Sequence, residues 1–264
     1  MIYLRIEVIL LYESANITGK LLSLSGINMN FAPVLDIYDE NSKNNVLYKR
    51  CFYGDVDNVV SSGRKYIQGF NDNGVIPVIK HFPGHGVTNT DSHFMTPYIH
   101  NYQNVLDRHI KPFYEIINSG IDAVMVGHLV IRKLTKWMPA SISSSFIKNY
   151  LRDKVNYQGI VITDEINMLS RSLLYRFVYE KRAIRSGSDI ILVKLKNRVN
   201  AIRMINKFMR IIVNDKEQLD MLDDSVLRIL RIKEKYNISD DIDELGCDID
   251  MINQDIIRIN KECK

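Results

Sequence analysis

The chain has 264 residues, one large domain or two small ones, and a (β/α)8 barrel of about 250 residues fits it as a single domain. Hydrophobic residues make up 46% and charged residues 25%, which excludes a disordered chain, and a net charge of +4 is too small to mark a nucleic-acid binder by itself. Cys51, Cys247 and Cys263 form no CxxC pair, which argues against a disulfide framework or a Cys-based zinc site, and no apolar run reaches the ~18 residues of a membrane span.

Met1–Tyr12 is apolar but carries Arg5 and Glu7 and no small-residue cleavage site, so it does not read as a signal peptide. Ser14–Ser25 is expected as a helix that stops at Gly26, and Met29–Leu35 as the first strand. The helix Asp57–Asn71 follows, with Val59, Val60, Tyr66 and Ile67 available for one face, and then the strand Val75–Ile79. Asn104–Asn118 places Leu106, Ile110, Phe113 and Ile117 at helical spacing. The strand Ala123–Gly127, the helix Ser143–Asp153 and the strands Gly159–Thr163 and Asp189–Val193 come next. The helix Val199–Ile212 presents Val199, Ile202, Ile205, Phe208, Met209 and Ile212. The strands are short, β-branched and nearly free of charge, as in a parallel sheet buried on both faces. Gly120 and Gly187 stand shortly before strands, where helix C-terminal turns favour glycine. The alternation gives an α/β class.

Residues 181–210 hold nine Lys/Arg and one acid, Asp189, and residues 239–264 hold eight Asp/Glu against three Lys/Arg. A solvated helix face and an acidic helical tail or linker remnant account for both. The basic stretch has no interleaved aromatic series for stacking bases. The domain expected at 1–237 is therefore followed by a polar tail at 238–264.

A polar residue follows nearly every strand: Asp36, Lys80-His81, His128 and Asp164. In parallel α/β folds ligands bind beyond the carboxyl ends of strands, so four such residues describe a ring around one mouth. All six histidines lie between 81 and 128, three of them in one loop: Lys80-His81-Phe82-Pro83-Gly84-His85-Gly86, then Asp91-Ser92-His93. Two chemistries fit that loop. One is a metal site from His81, His85, Asp91 and His93, a donor set suited to zinc or iron. The other is acid–base catalysis, with Asp91 orienting His93 and raising its basicity. Lys80 favours the second, because an ammonium repels a divalent cation. Asp164, at the exit of a buried strand, reads either as a helix N-cap or as a carboxylate nucleophile.

These motifs resemble glycoside hydrolase family 3, in its β-N-acetylhexosaminidase branch. The resemblance is carried by Asn30-Phe-Ala-Pro-Val-Leu-Asp36, Arg50 in Tyr-Lys-Arg-Cys-Phe-Tyr-Gly54, Lys80–Gly86, Asp91-Ser-His93, Ala123–His128, Ile162–Met168 and Ser225–Tyr236. It implies a TIM-type barrel and a retaining double displacement that removes terminal non-reducing N-acetylglucosamine. Asp164 would be the nucleophile and His93 the general acid/base, paired with Asp91. Arg50, Lys80 and His81 would hold sugar hydroxyls, and Asp36 and His128 would line or support the pocket. Most retaining glycosidases use two carboxyl groups; this branch uses histidine as its acid/base. The resemblance calls for no metal and no cofactor, and its substrates would be small GlcNAc-containing glycans from peptidoglycan turnover or chitin, with no nucleic-acid or membrane partner.

In the family two strand–helix units with an Asp-Gln-Glu-Gly-Gly-type motif precede the Asn-Phe-Ala-Pro segment. Here about two dozen residues stand there and that motif is absent. The barrel is therefore expected to be incomplete at its start, open at an edge, and a candidate for assembly with a missing N-terminal fragment or a second domain. As written the chain reads as cytoplasmic; a longer form could be secreted or at the cell surface. Three competing functions follow: a non-catalytic sugar-binding fragment, a metal-dependent hydrolase, and a phosphorylase in which phosphate replaces water.

Overall fold

The computed structural model describes residues 2–38, 47, 50–87, 96–99, 102–171, 178–239 and 249–262. The elements in chain order are α1 (Ile2–Leu24), β1 (Met29–Asn30), α2 (Val56–Asn71), β2 (Ile76–Phe82), β3 (Tyr98–Ile99), α3 (Tyr102–Asn104) and α4 (Lys111–Ile117). β4 (Ala123–Val126), β5 (Val130–Ile131), α5 (Arg132–Thr135), β6 (Ile160–Thr163), α6 (Tyr179–Ile184), α7 (Arg198–Ile212), α8 (Lys216–Lys235) and α9 (Ile249–Glu262) follow. Wide-turned π-helices span Val105–His109 and Ser145–Lys154.

β1, β2, β4 and β6 form a parallel sheet in that order. Parallel bridges add Val34 beside Lys80 and Ile190 beside Ile162, so five strand positions stand side by side. Alternation along the strands sends side chains to two cores. Ile79, Val124, Val126 and Val161 pack with Phe113, Ile116, Phe146 and Leu151 on the helix-covered face. Ile76, Val78, Ala123, Met125, Ile160 and Ile162 pack on the other face with Ile232 of α8. The architecture is a wall of a TIM-type barrel. Among the described residues, neither β1 nor the Ile190 segment meets a further strand on its outer side.

The elements differ from the expected ones for local reasons. β1 is only two residues long, because Pro33 has no amide for the ladder and pairing resumes at Val34. The helix expected over Asn104–Asn118 breaks at Ile110, the N-cap of α4, with Pro112 in the first turn of that helix. α1 begins at Ile2, twelve residues earlier than expected. It lies tightly on α2: a Cβ at Gly69 would stand 2.6 Å from the Asn16 nitrogen, so only glycine permits the approach. α9 docks on α1, with Arg258 bonded to Glu13 at 2.9 Å and Ile252 and Ile259 buried.

The largest departure concerns α7. It has no buried residue, and Val199, Ile202, Ile205 and Met209 of its expected core face are 47–59% exposed. The helix instead leans over a cavity of about 520 Å³ lined by Ile191, Val193, Met204 and Phe208. The described residues supply no element that covers the rest of that face.

Candidate active site

The site is organised around a carboxylate that faces no solvent. Asp36 follows the Val34 bridge and is 0% exposed. Its Oδ2 accepts the His81 N–H at 3.2 Å and lies 2.7 Å from His81 Nδ1, and its Oδ1 accepts the His85 N–H at 2.5 Å. One side chain thus ties together the tight turn 81–85. Burial alone would raise the Asp36 carboxyl, but the His81 and His85 groups outweigh it and hold the carboxyl below its ordinary value. The turn must also pass close to the chain after Asp36: a Cβ at Gly86 would collide with the Ile37 carbonyl oxygen. The Lys80–His81 and Phe82–Pro83 peptides are cis.

Lys80 ends up half-buried within β2 rather than beyond it. Burial, then the nearby Arg50 charge, lowers its ammonium, while Asp164 and Asp36 pull it back up. Arg50 itself is exposed. Lys80 thus lies within the fields of Arg50, Asp164 and Asp36.

Asp164 leaves β6 at the same end of the sheet. Its own N–H donates to the Val126 carbonyl at 2.9 Å, and its Oδ1 accepts the Glu165 N–H at 2.8 Å. That bond reaches the next residue, whereas an N-cap oxygen reaches the second or third N–H of its helix. The 3-10 turn that follows, Ile166–Arg171, is not capped by this carboxylate. Burial works to raise the Asp164 carboxyl. The His128 and His81 rings, the Glu165 N–H and His85 outweigh it, so the group is held below the ordinary carboxylate value and is ionised at neutral pH.

His128 is 1% exposed, with Nδ1 2.6 Å from Ser141 Oγ and Nε2 3.0 Å from the Glu165 carbonyl oxygen. Burial lowers its pKa against the pull of Asp164 and keeps the ring neutral. Asp36 and His128 are therefore both enclosed. Ser141 and Glu165 were not singled out from the sequence. A serine after Pro-Ala carries no spacing signal, and its partner is thirteen positions away.

His85 lies inside the protein, 3% exposed, and neither ring nitrogen has a hydrogen-bond partner among the described residues. Its ring centroid is 6.1 Å from that of His81. Asp91 and His93 lie outside the described residues, as do Cys247 and Cys263. Among the described residues no three His, Cys, Asp or Glu side chains converge as a metal site would require. Burial, only partly opposed by Asp36, brings the His85 pKa down from 6.5 to about 4. The unfolded chain then binds a proton before the folded one, so stability is lost as pH falls from about 6.5 to about 4. The loss from this ring is about 3 kcal/mol. In urea unfolding at pH 7 and pH 4.5, His85→Leu should show a correspondingly smaller drop than wild type. An unchanged drop would assign the acid lability to other groups.

The comparisons with known proteins agree with one another. The model of the glycosyl hydrolase family 3 N terminal domain matches residues 4–232. A β-hexosaminidase of Psychromonas ingrahamii is 33% identical over 186 residues, 69% of this chain and 54% of that protein. One of Haemophilus influenzae is 33% identical over 170 residues, 63% of this chain and 47% of that protein. The chain spans about half the length of the curated relatives it matches. Among solved structures, a family 3 β-N-acetylglucosaminidase from Paenibacillus sp. superposes with a TM-score of 0.80 at 30% identity, covering 97% of this chain and 50% of that one. A β-N-acetylhexosaminidase from Beutenbergia cavernae gives 0.74 at 26% identity, covering 85% and 68%. With most of its length inside the family's domain and its fold shared, the chain belongs to glycosyl hydrolase family 3.

Proposed function

We propose that the chain carries the catalytic domain of a retaining β-N-acetylhexosaminidase, which releases terminal N-acetylglucosamine from small glycans. The observation that carries this reading is the Asp164 carboxylate. It is held ionised at the carboxyl end of the sheet, with one oxygen tied down by the Glu165 N–H and the Lys80 ammonium in its field. The named relatives support the choice of sugar.

In the first half of the reaction Asp164 attacks the anomeric carbon while the leaving oxygen takes a proton from His93. In the second, His93 takes a proton from water, and the water oxygen displaces Asp164 from the same carbon. Asp91 orients the imidazole, and Arg50, Lys80 and His81 hold ring hydroxyls. An imidazole that titrates near neutrality can give and then take the proton. The reading needs no cofactor. Its test is nitrophenol release from nitrophenyl N-acetyl-β-glucosaminide, with and without phosphate. Turnover that depends on both Asp164 and His93 supports it, a phosphate requirement makes the chain a phosphorylase, and equal residual activity in Asp164→Asn and His93→Ala overturns it.

A second reading is a sugar-binding chain that does not turn over. It is favoured by outer sheet edges that meet no further strand among the described residues and by a face of α7 that no described element covers. Saturable binding of N-acetylglucosamine by a chain without hydrolysis would select it.

A further inference from the structure

The Ser141 hydroxyl is buried, yet it is two hydrogen bonds from Glu165, the residue after Asp164. The Glu165 carbonyl oxygen can only accept a hydrogen bond, so His128 Nε2, 3.0 Å away, carries the ring proton. In the neutral ring Nδ1 then has only a lone pair. The Ser141 hydroxyl, 2.6 Å away, is its donor. On the far side of the same residue, the Glu165 N–H points at Asp164 Oδ1 from 2.8 Å. Fixing the carbonyl of Glu165 therefore fixes the backbone on which the carboxylate is hung.

The serine is itself held firmly. Its N–H donates to the Gly127 carbonyl at 3.1 Å, and the Ala140 N–H donates to the Leu129 carbonyl at 2.8 Å. The Ala140–Ile142 turn is thus stitched to both sides of His128.

We propose that Ser141 is a positioning residue for the nucleophile. Its hydroxyl selects the Nε2–H tautomer of His128, the ring holds the Glu165 carbonyl, and Asp164 is presented with Oδ1 engaged and Oδ2 as the attacking oxygen. The inference rests on the hydrolase reading above, and Ser141 touches neither substrate nor reacting atoms. Its loss moves an aligned nucleophile rather than a binding group, so the cost falls on kcat.

The experiment compares wild type, Ser141→Ala and Ser141→Thr by nitrophenyl N-acetyl-β-glucosaminide kinetics and by ¹⁵N NMR of the histidine rings. Expected are an Nε2–H tautomer for His128 in the wild type and a hydrogen-bond shift at Nδ1 that disappears in Ser141→Ala. In that variant kcat should fall about 10- to 100-fold with KM within about two-fold, and Ser141→Thr should restore both signals. If Ser141→Ala does not fold, Ser141→Cys, with a weak donor of similar size, makes the same comparison. Wild-type kcat in the variant lacking the donor, or an Nδ1–H tautomer in the wild type, overturns the inference while leaving the hydrolase reading in place. A wild-type chain that releases no nitrophenol overturns both.

Discussion

Asp164→Ala should lower turnover of nitrophenyl N-acetyl-β-glucosaminide by about 10⁴-fold or more, and azide should restore part of it with the α-glycosyl azide as product. A loss of that size corresponds to about 5.5 kcal/mol of transition-state stabilisation, too much for a support or a cap. The stereochemistry follows from where the azide stands. With the carboxylate gone, azide occupies its place and attacks the anomeric carbon on the α face. One inversion expels the β-linked nitrophenolate. In His93→Ala the glycosyl-enzyme still forms, because nitrophenolate needs little protonation to leave. Azide then attacks that intermediate from the β face and yields the β-glycosyl azide. Chromatography of the two anomers separates the roles of the two residues. The same anomer from both variants would remove Asp164 from the role of nucleophile.

The ring of candidate residues was legible because short, uncharged, β-branched runs end abruptly in Asp36, Lys80, His128 and Asp164. Polar residues gather where buried parallel strands end, and all four stand toward one end of the sheet, Asp36 and His128 enclosed there rather than at the surface. What each does there was less legible. Asp36 reads as a pocket group by position, but its oxygens are claimed by N–H groups 45 and 49 positions later, and that turn is not a periodic pattern. His85 and His81 look alike in the sequence, yet the His81 ring is bonded to a carboxylate and the His85 ring is buried with no hydrogen-bond partner among the described residues. Periodicity named the residues that share a face of α7; it holds no information on whether a neighbour covers that face.

Asp189→Ala should lower the unfolding free energy by about 3–5 kcal/mol, read as a fall in the urea midpoint with an unchanged slope. Asp189 stands at the opposite end of the sheet from Asp164, and its side chain is 0% exposed. Its Oδ2 accepts the Val161 N–H at 2.7 Å and Arg152 Nη2 at 2.5 Å. Its Oδ1 accepts Ser225 Oγ and Arg228 Nε, each at 2.9 Å. One carboxylate therefore clamps β6, the π-helix after β5 and α8. Arg152 also donates to the Tyr157 and Gly159 carbonyls at 2.8 and 2.7 Å, so the guanidinium cannot swing out to water when its counter-charge is removed. Alanine leaves Arg152 and Arg228, their side chains 14% and 22% exposed, without their shared counter-charge, and that uncompensated charge dominates the cost. Asp189→Asn keeps an acceptor but not the charge, and should fall between alanine and wild type. The sequence held one clue: Asp189 is the lone acid among nine cations in residues 181–210, although its arginine partners lie outside that stretch. A loss under about 1 kcal/mol for alanine would mean that α8 is held by Ile232 and its apolar neighbours instead, and that the cluster is a solvated ornament of the fold.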